Sequence, residues 1–205
     1  VNKGTYETNG TGSPVIYSTA DIIVNDAKLI ANVSEGVVVE GKNSVTLNNV
    51  TMEATNTKLN GNSETYKSIF IYQSMSGDAD VGTSTFTAKD SKIINNKGEI
   101  IFVTNTNTVI TLENNTITNN DSDGAFLKAT TAKWGTSGSN GGNVTLNMTN
   151  QKAFGNIIID NILTLALSMK SGSILIGAID KENQVKNILY QCHLIQYYHQ
   201  LQILI

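Results

Sequence analysis

The chain has 205 residues, of which 40% are hydrophobic, and its net charge of -3 comes from 14 Lys and 17 acidic residues without any Arg. A nucleic-acid surface needs a basic stripe with bidentate donors, so this charge pattern argues against such a partner. The single Cys excludes an intrachain disulfide, and no apolar run reaches the roughly 18 residues expected of a membrane-spanning helix.

In chain order, residues 1–13 are polar and Gly-rich, and we expect an ill-determined segment there. From Pro14 onward the chain repeats a short apolar triplet followed by a segment in which apolar and polar residues alternate, which is the period of a β-strand. The triplets are residues 15–17, 37–39, 69–71, 100–102, 125–127 and 157–159, and the alternating segments are 22–29, 45–52, 86–93, 109–117, 144–149 and 163–169.

Successive triplets lie about 22 to 32 residues apart, which is the spacing of a solenoid with variable loops. Strands this short, with no helical period between them, predict one coil per repeat, stacked in parallel at about 4.8 Å per coil. Alignment of the alternating segments places Asp26, Asn49, Asp90 and Asn114 at one turn position. We expect these Asx side chains to form a hydrogen-bonded column.

The Asn- and Thr-rich segments 45–52 and 109–115, in which alternating apolar residues are followed by Asn, resemble a known family. They look like coils of the right-handed parallel β-helix of the pectate-lyase-like superfamily. The nearest likeness is to adhesin-like and carbohydrate-binding-domain repeats in surface proteins of gut bacteria. The resemblance covers about residues 14–180. It implies an all-β solenoid of about six coils within a domain at 1–187.

The resemblance also implies a function. We expect a non-enzymatic adhesin-like module, secreted or at the cell surface, that binds a polysaccharide, a host glycan or a host protein through loops on the rod. A polysaccharide lyase or hydrolase and an inert stalk are the alternatives. The enzymes of the superfamily use an Arg, or paired Asp with His and Arg, and these motifs do not carry over. Asp78 and Asp80 are the acid pair that remains for sugar chemistry.

The only Trp, Trp134, lies on a polar insertion at 130–142 beside Lys133 and Asn140, and it predicts a stacking platform for a sugar ring. Tyr66 and Tyr72 flank another insertion, 56–68, and are predicted to contribute to ligand binding. Alternatively, Trp134 folds back to cover the solenoid.

Asp121 and Asp123 precede Gly124 with oxygen ligands at alternate positions, as at the start of a calcium loop, although position twelve of that frame is Thr130. Ca²⁺ is therefore a candidate ligand, an ordinary turn between coils is the alternative, and no other cofactor is expected.

The composition changes in residues 188–205, which contain the only Cys and both His. Four origins fit this tail: a cap, a further coil with irregular strands, a contact for oligomerisation at the C-terminal end of the rod, or a terminus that is out of frame or derived from a vector. The cap hypothesis predicts a helix that begins at Asp180 and places Leu189, Cys192, Ile195, Tyr198 and Leu201 on one face.

Overall fold

The structure, a computed structural model, describes residues 1–59, 65–181, 190–191 and 200–204. In this part of the chain every regular element is a strand. The strands are β1 (Asn2–Thr8), β2 (Ile16–Ser18), β3 (Ile22–Ala31), β4 (Val37–Glu40), β5 (Ser44–Asn48), β6 (Thr51–Ala54), β7 (Lys67–Tyr72), β8 (Thr83–Lys89), β9 (Lys92–Asn95), β10 (Glu99–Thr104), β11 (Asn107–Glu113), β12 (Thr116–Asn119), β13 (Leu127–Ala129), β14 (Gly142–Thr149), β15 (Lys152–Phe154), β16 (Ile157–Ile159), β17 (Leu163–Lys170), β18 (Ile174–Ile176), β19 (Ala178–Lys181), β20 (Tyr190–Gln191) and β21 (Gln200–Leu204).

These strands form an all-β parallel β-helix, as the repeats predict. The triplet strands β2, β4, β7, β10, β13, β16 and β19 pair in that order as parallel neighbours in one sheet, which we call the triplet sheet. A second parallel run is formed by the alternating strands β3, β5, β8, β11, β14 and β17. The C-terminal half of β3 pairs with β6, which is followed in the sheet by β9 and β12. Strands β15 and β18 pair separately. These paired strands are parallel but do not follow each other in the sequence. This is the expected result when each coil of the chain winds over the one before it.

The core consists of columns of equivalent side chains from successive coils. Leu112 illustrates this arrangement, because its register neighbours Ala88 and Met148 are also fully buried. The complete column is Val24, Leu47, Ala88, Leu112, Met148 and Met169. The triplet sheet contributes a second column of core side chains, which runs from Ile16 through Val37, Ile69, Ile101, Leu127 and Ile157 to Ile179. The alternation of the sequence therefore places one face of each strand inside the rod.

The predicted Asx column lies at the corner between the two alternating strands of each coil, and its side-chain hydrogen bonds are confirmed within two pairs, Asp26–Asn49 and Asp90–Asn114. Asp26, Asn49, Asp90 and Asn114 all have φ between 52° and 57°, a left-handed conformation that Asx residues tolerate. The Asn49 Nδ2 donates to Asp26 Oδ1 at 2.7 Å, and the Asn114 Nδ2 donates to Asp90 Oδ1 at 2.6 Å. Asn150, which the sequence alignment missed, extends the column by donating to Asn114 Oδ1 at 2.9 Å.

Both termini differ from the sequence expectation. Residues 2–8 form β1, which pairs in parallel with β3, so the predicted ill-determined segment is wrong over this range. Its side chains are almost all exposed, which explains why no apolar pattern marked it. Asp180 lies in β19 and Leu201 in β21, which are strands, so the predicted helix is wrong at these two positions. Leu189, Cys192, Ile195 and Tyr198 lie outside the described residues.

The described part of the tail adds antiparallel strands to the last parallel strands. β20 pairs with β19, and β21 pairs with β17. Among the described residues, no helix is long and apolar enough to cross a membrane.

Candidate functional site

An aromatic cluster covers the outer face of the triplet sheet. Val38, Phe70 and Phe102 are register neighbours whose side chains point away from the main core, yet each is at most 6% exposed. Phe70 stacks on Phe102 with ring centroids 5.7 Å apart and on Tyr72 with centroids 4.3 Å apart. The outer face of a solenoid strand is ordinarily solvated, so this burial shows that a loop covers it.

Trp134 provides part of that cover. Its ring meets Tyr72 edge to face, with centroids 4.9 Å apart and planes at 60°, and Ala132 packs on the same cluster. The indole remains half-buried and retains accessible surface. Trp134 therefore folds back onto the solenoid, as the alternative expectation states, while still presenting part of its ring to solvent. Aromatic pairs of this geometry contribute about 0.5–1.5 kcal/mol beyond the area that they bury.

The loop that carries Trp134 is held by buried polar groups. The Asn140 side chain is 3% exposed, and its Nδ2 donates to the carbonyls of Ala132 at 2.9 Å and Trp134 at 3.0 Å. The buried carboxylate of Asp160 accepts from Thr131 N at 2.5 Å and from the backbone N–H groups of the segment that leads into β17. Gly135 has φ +73° and passes so close to Asn105 that a Cβ there would lie 2.3 Å from its Oδ1. The buried Asn140 side chain therefore fixes the backbone of the loop at Ala132 and Trp134.

A groove of about 740 Å³ separates this loop from the loop that follows β7. Trp134 and Lys133 line one wall, Ser74, Met75 and Val81 line the other, and Asn105 lies between them. Lys133 Nζ lies 5.5 Å from the centroid of the Trp134 ring. Met75 and Val81 are 60% and 68% exposed, so the rim offers apolar surface beside amide, hydroxyl and ammonium groups. The groove therefore offers a ligand one aromatic surface and several polar groups that can form hydrogen bonds.

The structure brings together only some of the residues that the sequence nominates for ligand binding. Trp134 and Lys133 line the groove, and Tyr72 lies beneath Trp134, where it is 6% exposed. Tyr66 precedes β7 and therefore lies about 20 Å along the strand from Tyr72. Its ring faces Lys97 Nζ at 5.6 Å. A role of Tyr66 in binding stays a prediction, at a place away from this groove.

The predicted calcium loop forms a hydrogen-bonded turn between coils. Asp121 Oδ2 accepts from Gly98 N at 2.8 Å and lies 3.2 Å from Lys97 Nζ, while its Oδ1 accepts from Asp123 N at 3.2 Å. The Gly98 N–H, assisted by Asp123 N–H and the Lys97 ammonium, lowers the pKa of Asp121. Within the described ranges no group of three or more His, Cys, Asp or Glu side chains is placed to hold a metal ion. Calcium binding by Asp121 and Asp123 stays a prediction.

The acid pair considered for sugar chemistry lies in the wall that follows β7. Asp80 Oδ2 pairs with Lys42 Nζ at 3.2 Å, and both side chains are well exposed. Asp78 Oδ2 accepts from the Ser76 hydroxyl at 2.8 Å. Each carboxylate thus has a local partner on the surface.

One charged residue that the sequence did not single out lies under the groove. Glu40 ends β4, pairs in register with Tyr72 and is fully buried. Its carboxylate accepts from the Tyr17 and Tyr72 hydroxyls, which are themselves 2.8 Å apart. Burial, followed by the hydrogen bond to Glu40, raises the pKa of Tyr17 to about 12. Burial, followed by the contact with Tyr17, also raises the pKa of Tyr72.

These shifts predict a loss of stability in alkali. Because both phenols bind their protons more tightly in the folded chain, their contribution is complete below the ordinary tyrosine pKa of 10.0. The part that Tyr17 contributes is lost as the pH rises through its folded pKa of about 12. Denaturant unfolding across this interval should therefore give a free energy of unfolding that declines with pH. Tyr17→Phe should show a shallower decline, measured beside the phenolate absorbance. An unchanged slope in Tyr17→Phe would show that Tyr17 ionises at its ordinary pKa.

Comparisons of the chain with protein-family models, with curated proteins and with solved structures find no match.

Proposed function

We propose that the chain is a non-enzymatic adhesin-like module, secreted or displayed at a cell surface, that binds glycans in the groove beside Trp134. The proposal rests chiefly on one observation: the single tryptophan of the chain lies in the wall of a groove of about 740 Å³, with its indole only half-buried. The C–H groups of a sugar pack on an aromatic face while its hydroxyls require polar partners. Asn105, Ser74 and Thr136 offer such partners in the same groove.

The scaffold supports this role through its rigidity. Columns of buried side chains and Asx hydrogen bonds connect successive coils, and Asp160 and Asn140 hold the loop of Trp134. A groove that is already formed binds its ligand at a lower entropic cost than a mobile loop does. The described lining offers an indole, amides, hydroxyls and an ammonium group, which suits binding better than glycoside hydrolysis by two carboxylates. We therefore favour binding, and we expect the partner to be a polysaccharide or a glycan or protein of a host surface.

The sole tryptophan provides a specific test. Trp134 fluorescence should respond to at least one member of a panel of β-glucan, xylan, galactan, mannan and pectin oligosaccharides, and a glycan array extends the search to host sugars. Trp134→Ala should weaken binding on the array by roughly 30-fold, equivalent to about 2 kcal/mol for a central aromatic contact. Tyr6→Ala is the matched control, because Tyr6 is an aromatic residue in β1 that is 41% exposed.

The outcomes separate the candidate functions. Binding that survives Trp134→Ala would exclude the groove as the site. No response to any glycan would favour a structural stalk. New unsaturated or reducing ends after incubation with the polymers, with and without Ca²⁺, would favour the enzyme alternative.

A further inference from the structure

Among the described residues, the hydrogen-bond donors to the buried carboxylate of Glu40 are all neutral hydroxyl groups. Its Oε2 accepts from Tyr17 and from Tyr72, the latter at 3.2 Å. Its Oε1 accepts from Ser74, and the Ser76 Oγ, whose proton is donated to Asp78 Oδ2, lies 3.5 Å away. A carboxylate loses several kcal/mol of solvation when it is buried, and hydrogen bonds from surrounding donors offset that cost. The arrangement therefore depends on holding three hydroxyl donors, from Tyr17, Tyr72 and Ser74, around one anion.

The hydroxyls near the Glu40 carboxylate come from different elements around the groove. Tyr72 forms the surface on which Trp134 rests, with ring centroids 4.9 Å apart. Ser74 lines the opposite wall, and Ser76 continues that wall, where its Oγ accepts from Asp78 N at 3.4 Å. Tyr17 comes from the preceding coil, and its hydroxyl lies 2.8 Å from that of Tyr72. Through these contacts a single side chain is joined to both sides of the groove.

Other contacts hold the two ends of the wall, where Asn105 Nδ2 donates to Gln73 O at 2.6 Å and Lys42 N donates to Asp80 O at 2.9 Å. The middle of the wall, around Met75, lies between these contacts. Met75 adopts φ +66°, a strained conformation for a residue with a long side chain, and its side chain is 60% exposed. Strained backbone persists where surrounding contacts determine its position. Ser74, which donates to Glu40 Oε1, and Ser76, whose Oγ lies 2.7 Å from that of Ser74, flank Met75 on both sides in sequence.

We propose that Glu40 is the positioning residue of the groove: its carboxylate fixes the Tyr72 ring under Trp134 and the Ser74–Ser76 wall opposite it, and so sets the groove width. Glu40 itself touches no ligand, because its side chain is fully buried. This inference deepens the proposed glycan-binding function and rests on it for its biological meaning. The structural claim, that Glu40 controls the environment of Trp134, does not require a ligand.

Collisional quenching of Trp134 fluorescence by acrylamide, a neutral probe, tests that claim. In Glu40→Ala the groove should loosen, and the quenching constant should rise about twofold as the indole loses its packed support. In Glu40→Gln, which keeps the shape and one acceptor oxygen, the constant should return most of the way to the wild-type value. Far-UV circular dichroism and the unfolding midpoint are measured alongside.

Gln151→Ala is the matched control for general destabilisation. Gln151 is fully buried and its Nε2 donates to Asn115 O at 3.0 Å, at a corner of the rod away from the groove. This variant should lose stability without changing the quenching of Trp134. If Glu40→Ala does not fold, the double variant Tyr72→Phe/Ser74→Ala removes two donors while it keeps the carboxylate, and it should raise the quenching constant in the same way.

An unchanged constant in the folded Glu40 variant, or in the double variant, would overturn the inference, and so would an equal rise in Gln151→Ala. A different result would contradict the proposed function: the wild-type protein would respond to no glycan of the panel or the array.

Discussion

Leu112→Asp is expected to prevent the chain from folding. Leu112 is fully buried in a column between Ala88 and Met148, and the described neighbours in this column are apolar. A carboxylate placed there has no partner, and loss of the leucine alone costs about 2–5 kcal/mol. The unpaired carboxylate costs several kcal/mol more, so the total is comparable with the roughly 5–15 kcal/mol that stabilises an ordinary domain. Circular dichroism and denaturant titration of the purified variant measure this effect.

Thr111→Asp is the control for Leu112→Asp. Thr111 is the adjacent residue of β11, it alternates to the outer face, and it is only partly buried. The same charge at this position should change the stability by less than about 1 kcal/mol. A folded Leu112→Asp variant with an unchanged unfolding midpoint would contradict the stacked core.

Lys67→Met is expected to cost about 3–5 kcal/mol, the range found when one member of a buried ion pair is removed. Lys67 Nζ lies 3.2 Å from Glu35 Oε1, and the two side chains are 1% and 7% exposed. Glu35 Oε2 also accepts from the Ser34 hydroxyl at 2.6 Å, and Lys67 Nζ lies 4.4 Å from the centroid of the Phe70 ring. Burial lowers the pKa of Lys67 despite the attraction of Glu35, so desolvation is the larger effect.

A double-mutant cycle separates the ion pair from general packing. Lys67→Met/Glu35→Gln removes both charges, and it should be more stable than Lys67→Met alone, because no unpaired carboxylate remains. Denaturant unfolding of the four proteins gives the coupling energy. A double variant as unstable as the sum of the two single variants would show that the charges do not interact.

The sequence predicts the scaffold well because the scaffold follows a local rule. Alternation at period two places residues such as Leu112 inside, and an Asx residue at each corner allows the left-handed turn. Asn150 could have been found by extending the aligned segment 144–149 by one residue. β1 gave no such signal, since it pairs through its backbone and exposes its side chains.

The site is less predictable because it depends on contacts between coils. Tyr72 and Trp134 are 62 residues apart, and only the register of successive coils brings their rings together. The sequence shows that Asn140 is a polar residue on a loop. It does not show that the side-chain amide donates to the backbone of the same loop. Glu40 could have been recognised by aligning the triplets, because it follows residues 37–39 as Tyr72 follows 69–71. Its burial depends on the Tyr17 and Ser74 hydroxyls, which no local pattern reveals.

Both the groove and the rod depend on parallel stacking in one register, and paired cysteines test that register most directly. With Cys192 replaced by Ser, the pairs Thr87→Cys/Thr111→Cys and Lys89→Cys/Glu113→Cys occupy opposed positions of β8 and β11 and should both oxidise to disulfides. Lys89→Cys/Val109→Cys should not, because these residues are offset by four positions, about 13 Å along the strand. If Lys89 cross-linked to Val109 instead of Glu113 while Thr87 still cross-linked to Thr111, the strands would be antiparallel, and the stacked coils and the groove built on them would be wrong.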